Sequence, residues 1–194
     1  MTAASSNDNK ARPPAPPPSP FAILGSYVVL GTIVSFAFGR EPGTLPDNII
    51  KEVSPALIAI CGFLIRYSLW DVMAVGMAKG KMNCFYKRYD DLPAKWPEAV
   101  FLAQRAQTNQ VEQLPVFIMG ALGCAIVVNG TVAGVLAVIW AILRHMYAEA
   151  YRRGVGKSLE EIGLGRFTIP AYFASNIPLM ATMIHAIRCL LASE

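Results

Sequence analysis

Charge is scarce in this sequence. Asp, Glu, Lys and Arg together supply 15% of its 194 residues, where a soluble domain carries about 25%. Histidine is nearly missing, with His145 and His185 alone, and the four cysteines (Cys61, Cys84, Cys124, Cys189) share no C-x-x-C spacing. That argues against a structural zinc site, so no metal is expected and Cys84 reads as a free reduced thiol. Period-2 alternation is also lacking, which removes a membrane β-barrel from consideration. Position 2 is Thr, which excludes N-myristoylation.

Apolar residues fill the space that charge leaves. They make up 54% of the chain, and mean hydropathy is +0.42. Five runs approach or exceed the roughly 20 residues needed to cross a bilayer: Phe21–Gly39, Pro55–Ala78, Pro97–Val128, Thr131–Tyr151 and Phe167–Leu191. Leu, Ala, Ile and Met dominate them, so the expected architecture is all-α with five membrane spans. The first run has no convincing small-x-small cleavage site and reads as an anchor. Before it, residues 1–20 form a proline-rich tail, whose Ala11–Pro20 stretch (ARPPAPPPSP) is expected to be extended and solvated.

Basic residues orient these spans. On the side that holds the N-terminus, side A, lie Lys10, Arg12, Lys79, Lys81, Lys87, Arg88, Lys95, Arg152, Arg153, Lys157 and Arg166; side B holds Arg40, Lys51 and Arg188. The positive-inside rule then puts side A in the cytosol, or in the matrix or stroma of an organelle. The net charge of +4 reports this topology, and no nucleic-acid partner is expected. Asn129-Gly130 marks a tight side-B turn. Gly154–Gly165 (GVGKSLEEIGLG) reads as a side-A loop; its GVGKS lacks the upstream glycine and strand context of a phosphate loop.

Ionisable residues inside a span are costly and point to function. In the third run Arg105, Asn109 and Glu112 fall within about 60° on one helical face, about two turns in from side A. In the fourth run Arg144, Tyr147 and Tyr151 share a face at similar depth. Together these groups could line a pocket for a small zwitterionic or anionic ligand; alternatively they are packing charges and interfacial aromatics. Arg66 and Asp71, five residues apart, sit about 140° apart on an α-helix and are not expected to pair comfortably. Pro115 is expected to kink the third helix.

Arg105-Ala-Gln-Thr-Asn109-Gln-Val-Glu112-Gln-Leu-Pro115 resembles the R-A-x-x-N-x-x-E-x-x-P pattern of the MAPEG family, the membrane-associated proteins in eicosanoid and glutathione metabolism. Arg144-x-x-Tyr147-x-x-x-Tyr151 is similar to a second motif of that family. The resemblance covers roughly residues 54–191. It implies a four-helix membrane bundle over residues 54–194, with an additional helix and loop at 21–53 in front. It also implies a homotrimer with glutathione bound between subunits on the cytosolic side. Arg105, Gln107, Asn109, Glu112, Tyr147 and Tyr151 would contact glutathione. Arg166 would activate its thiol as the catalytic residue, with Lys157 as a rival. Gln113 stands where the family often has tyrosine, and Arg166 is one residue out of the family register.

The implied activity is a glutathione-dependent transferase or peroxidase acting on lipophilic electrophiles or lipid hydroperoxides, in the endoplasmic reticulum or an organelle membrane. The alternative is a non-catalytic subunit of a larger membrane complex. A third option is a lipid-binding membrane protein with no glutathione chemistry.

Overall fold

The computed structural model describes residues 21, 25, 29, 47–83 and 97–192. All regular structure among them is helical. The elements are α1 (Asp47–Arg66), a π-helical turn (Tyr67–Val72), α2 (Met73–Lys81), α3 (Glu98–Val127), α4 (Gly130–Arg152), the short α5 (Leu159–Ile162) and α6 (Gly165–Ala192). The first three run on as one rod. Among the described residues, four helices are long and apolar enough to cross a membrane: Asn48–Lys81, Glu98–Val127, Gly130–Arg152 and Gly165–Ile187. The expected Phe21–Gly39 span lies outside the described residues, except that Phe21, Gly25 and Val29 are helical. Phe21 meets Trp70 edge to face, ring centroids 6.1 Å apart. The 1–20 tail and most of the loop between α2 and α3 also lie outside.

The turns follow their local chemistry. Asn129 caps α4, its Oδ1 accepting from the Val132 N–H at 2.9 Å. Ser158 and Glu161 form a reciprocal capping box around α5. Gly163, at φ +63°, ends α5 in the left-handed conformation that glycine adopts without strain. Pro115 lies inside α3, which is helical on both sides of it.

Aromatic stacking and small residues hold the bundle together. Phe117 of α3 stacks on Trp140 of α4 at 3.8 Å, and Phe63 of α1 meets the same Trp140 at 4.7 Å. Elsewhere glycine permits close approach, the usual basis of helix association in lipid. A Cβ on Gly130 would lie 1.9 Å from the Glu52 carbonyl oxygen, and one on Gly120 would lie 2.8 Å from the Ser175 oxygen. Glu52 also accepts a hydrogen bond from the Gly130 N–H at 2.8 Å, tying α1 to the start of α4. Large apolar side chains such as Ile58, Met119, Ile126 and Phe173 point outward, as lipid-facing residues do.

The π turn changes one expectation. Arg66 and Asp71 do pair, through two hydrogen bonds of 2.6 and 2.9 Å. The 140° separation holds only for an α-helix. A π turn closes from i to i+5, so residues five apart come onto one face.

Candidate functional site

A polar layer crosses the bundle toward the end where α2, α5 and the start of α3 lie. Gln110 and Arg144 form its core, and both are buried. Arg144 Nε donates to Gln110 Oε1 at 2.8 Å, and Gln110 Nε2 donates to the Arg144 carbonyl at 2.8 Å. A second Arg144 nitrogen donates to the Asn109 carbonyl. The Arg144 guanidinium also lies over the Tyr147 ring, 4.6 Å from its centroid. Arg144 is therefore fully engaged in joining α3 to α4, which favours the packing reading for that residue.

The other expected residues divide into four places. Asn109 Nδ2 donates to the Tyr147 hydroxyl at 2.6 Å, and the Tyr147 and Tyr151 rings lie 5.6 Å apart, so these three sit together. Both tyrosines are buried, packed with Leu102 and Ala106 and flanked by Leu164 and Phe167. Gln107 lies on the adjacent side of α3, its amide donating to the Tyr67 hydroxyl at 3.3 Å. Arg105 and Glu112 point away from the bundle, exposed on the outer face of α3. Among the described residues neither forms an ion pair. Arg166 borders a separate cleft with His145, Glu149, Arg153 and Lys157, and its guanidinium rests 4.7 Å from the Phe167 ring centroid. The α4 residues of that cleft lie on the opposite side of the helix from Tyr147 and Tyr151.

A charged network lies at the same end. Asp71 is fully buried and accepts from both Arg66 and Arg152; Arg152 also donates to Glu149. The sequence reading placed Arg152 among the loop cations that set topology. An acidic residue buried in one span demands a cation at equal depth, and that demand was the signal pointing to Arg152. Gln110 was also missed, because an amide beside Asn109 carries no spacing of its own.

Helix number and the two polar motifs now stand beside a direct comparison. The MAPEG family model matches residues 57–188. The chain belongs to the MAPEG family. It is an integral membrane protein of a family associated with glutathione and eicosanoid metabolism that also includes non-catalytic members. The match to MAPEG covers the four described spanning helices except the first nine residues of the first, 48–56. Comparisons with curated proteins and with solved structures returned no match.

Proposed function

We propose that this MAPEG protein is a glutathione-dependent membrane transferase or peroxidase whose site is completed between subunits of a homotrimer. The observation that carries the reading is that Arg105 and Glu112 face outward and form no ion pair among the described residues. In a translocon-based scale a carboxylate or arginine at the centre of a span costs about 2.5–3.5 kcal/mol. Lipid offers such groups no partner, while a neighbouring subunit and a zwitterionic tripeptide do. In this reading Arg105 binds a glutathione carboxylate and Glu112 its ammonium. The Gln107 and Asn109 amides, with the Tyr147 and Tyr151 hydroxyls, orient the peptide. A cation beside the sulfur favours thiolate over thiol, and Arg166 of an adjoining subunit is the candidate for that role. The sulfur then attacks a lipophilic electrophile, or reduces a lipid hydroperoxide.

A second reading has its own support. Within one subunit Arg166 opens on the far side of α4 from the tyrosine pair. A protein whose arginine does not reach the thiol would bind glutathione without turnover. Such a protein would be a non-catalytic subunit of a larger membrane complex, docked through the 1–20 tail and the 21–53 helix and loop. The 54–194 unit would then serve as its scaffold.

Calorimetric titration of the detergent-solubilised protein with glutathione, followed by an assay with 1-chloro-2,4-dinitrobenzene, tests both. Binding with turnover supports the enzyme, and binding without turnover supports the scaffold. No binding at millimolar glutathione removes the glutathione site altogether. In either reading side A faces the cytosol or an organelle interior, and the membrane is that of the endoplasmic reticulum or an organelle.

A further inference from the structure

We infer that the seam between α1 and α4 is a binding site for one anionic phospholipid, headgroup toward the α5 loop. The inference shares Arg166 and Lys157 with the glutathione reading but otherwise uses the face of α4 turned away from Tyr147 and Tyr151. Three hollows join end to end along that face. A cleft of about 380 Å³ lies by the α5 loop, bordered by Arg153, Lys157 and Arg166. A groove of about 600 Å³ follows, walled by Ile58, Gly62, Phe63 and Ile142. A third hollow of about 330 Å³ continues past Gly134 and Val135. His145 borders the first and second hollows, and Val138 borders the second and third.

Val138, Ile142, His145, Glu149 and Arg153 recur at three- and four-residue intervals, which makes them one stripe of the helix. From Arg153 to Val138 that stripe runs about 22 Å at 1.5 Å per residue. Half the hydrocarbon core of a bilayer is about 15 Å. An acyl chain entering at His145 is therefore accompanied by protein well into its leaflet.

The chemistry along the stripe changes as an amphiphile's does. The cleft holds three cations. Its two carboxylates leave it net positive by one charge: Glu149 pairs with Arg152 and Arg153, and Glu161 accepts from the Ser158 N–H. Lys157 and Arg166 form no ion pair among the described residues. At the neck between cleft and groove, Arg66 Nε and His145 Nδ1 are buried with no hydrogen-bond partner among the described residues. Beyond the neck the walls are almost wholly apolar. A phosphodiester matches the exposed cations Arg153, Lys157 and Arg166 at the cleft, and a chain fills the groove. A soluble anion would leave the groove bare. A zwitterionic headgroup would bring its own ammonium against the three cations. Basic pockets between spanning helices on the cytosolic or matrix side are suited to anionic headgroups for these reasons.

Native mass spectrometry of the delipidated full-length chain in neutral detergent tests this. The chain is titrated with phosphatidylglycerol or with phosphatidylcholine bearing the same acyl chains. One phosphatidylglycerol per chain is expected to bind about thirtyfold more tightly than phosphatidylcholine, the scale set by two surface cations. The double variant Arg153→Glu/Lys157→Glu removes the preference but keeps chain binding. Gly62→Leu removes binding of both lipids. A Cβ at Gly62 meets nothing within 4 Å, so the added side chain enters the groove without strain. All of these positions are exposed, and the variants are expected to melt with the native chain. Equal affinity for the two lipids in the native chain, or a preference that survives in the double variant, overturns the inference. So does undiminished lipid binding by Gly62→Leu.

Discussion

At the scale of single residues, burial separates groups that hold the bundle from groups available to a ligand. Asp71 has no exposed surface and two arginine partners. Removing its carboxylate leaves Arg66 and Arg152 facing each other in a water-poor layer. Asp71→Ala is expected to destabilise the protein by about 3–5 kcal/mol, read as a large fall in melting temperature in detergent. Arg105 is the opposite case, exposed and without an ion-pair partner among the described residues. Arg105→Ala should leave the melting temperature unchanged. If the glutathione reading holds, it should weaken glutathione binding by tenfold or more, the scale of a lost charged hydrogen bond; unchanged affinity in calorimetry would remove Arg105 from the site. The polar residues themselves were easy to see in the sequence, because charges and amides stand out in an apolar run. Their partners were not. A helical-wheel angle groups Arg105 with Asn109, yet Asn109 turns inward to Tyr147 while Arg105 faces out. Neighbouring helices decide which edge of a polar face is buried, and one helix read alone does not contain them.

At the scale of elements, four membrane helices were legible from apolar run length, and the break between α3 and α4 from Asn129-Gly130. Run length says nothing about hydrogen-bond register within a rod, so the π turn at Tyr67–Val72 stayed hidden and with it the Arg66–Asp71 pair. Packing through glycine was hidden for a related reason: Gly130 is ordinary in sequence and becomes significant only beside Glu52. Gly130→Val would drive side-chain atoms into the Glu52 backbone. Overpacking of this kind costs roughly 1–3 kcal/mol or more. The variant should melt earlier and should loosen the α1–α4 contact, visible as faster amide exchange at residues 50–56. Unaltered exchange there would mean that α1 and α4 separate without penalty.

For the whole molecule, assembly and orientation are the properties that a single chain implies without displaying. Native mass measurement is expected to give three times the chain mass of 21.0 kDa, and Glu112→Lys is expected to lower that stoichiometry. A monomeric mass in mild detergent would leave Arg105 and Glu112 without the neighbour proposed for them. Cysteines introduced at Lys157 and at Asn129 should label from opposite faces of sealed vesicles, Lys157 from the cytosolic or organelle-interior face. The Asp71 network also bears on the order of biosynthesis. Asp71 leaves the ribosome 81 residues before Arg152, the partner that ties its rod to α4. The first rod must therefore enter the translocon carrying a carboxylate neutralised only by its own Arg66. It docks against the rest of the bundle after α4 has been made. A ribosome stalled before Arg152 emerges holds an α1–α2 rod that is inserted but not yet locked, exposed to the membrane's quality-control proteases for as long as the stall lasts.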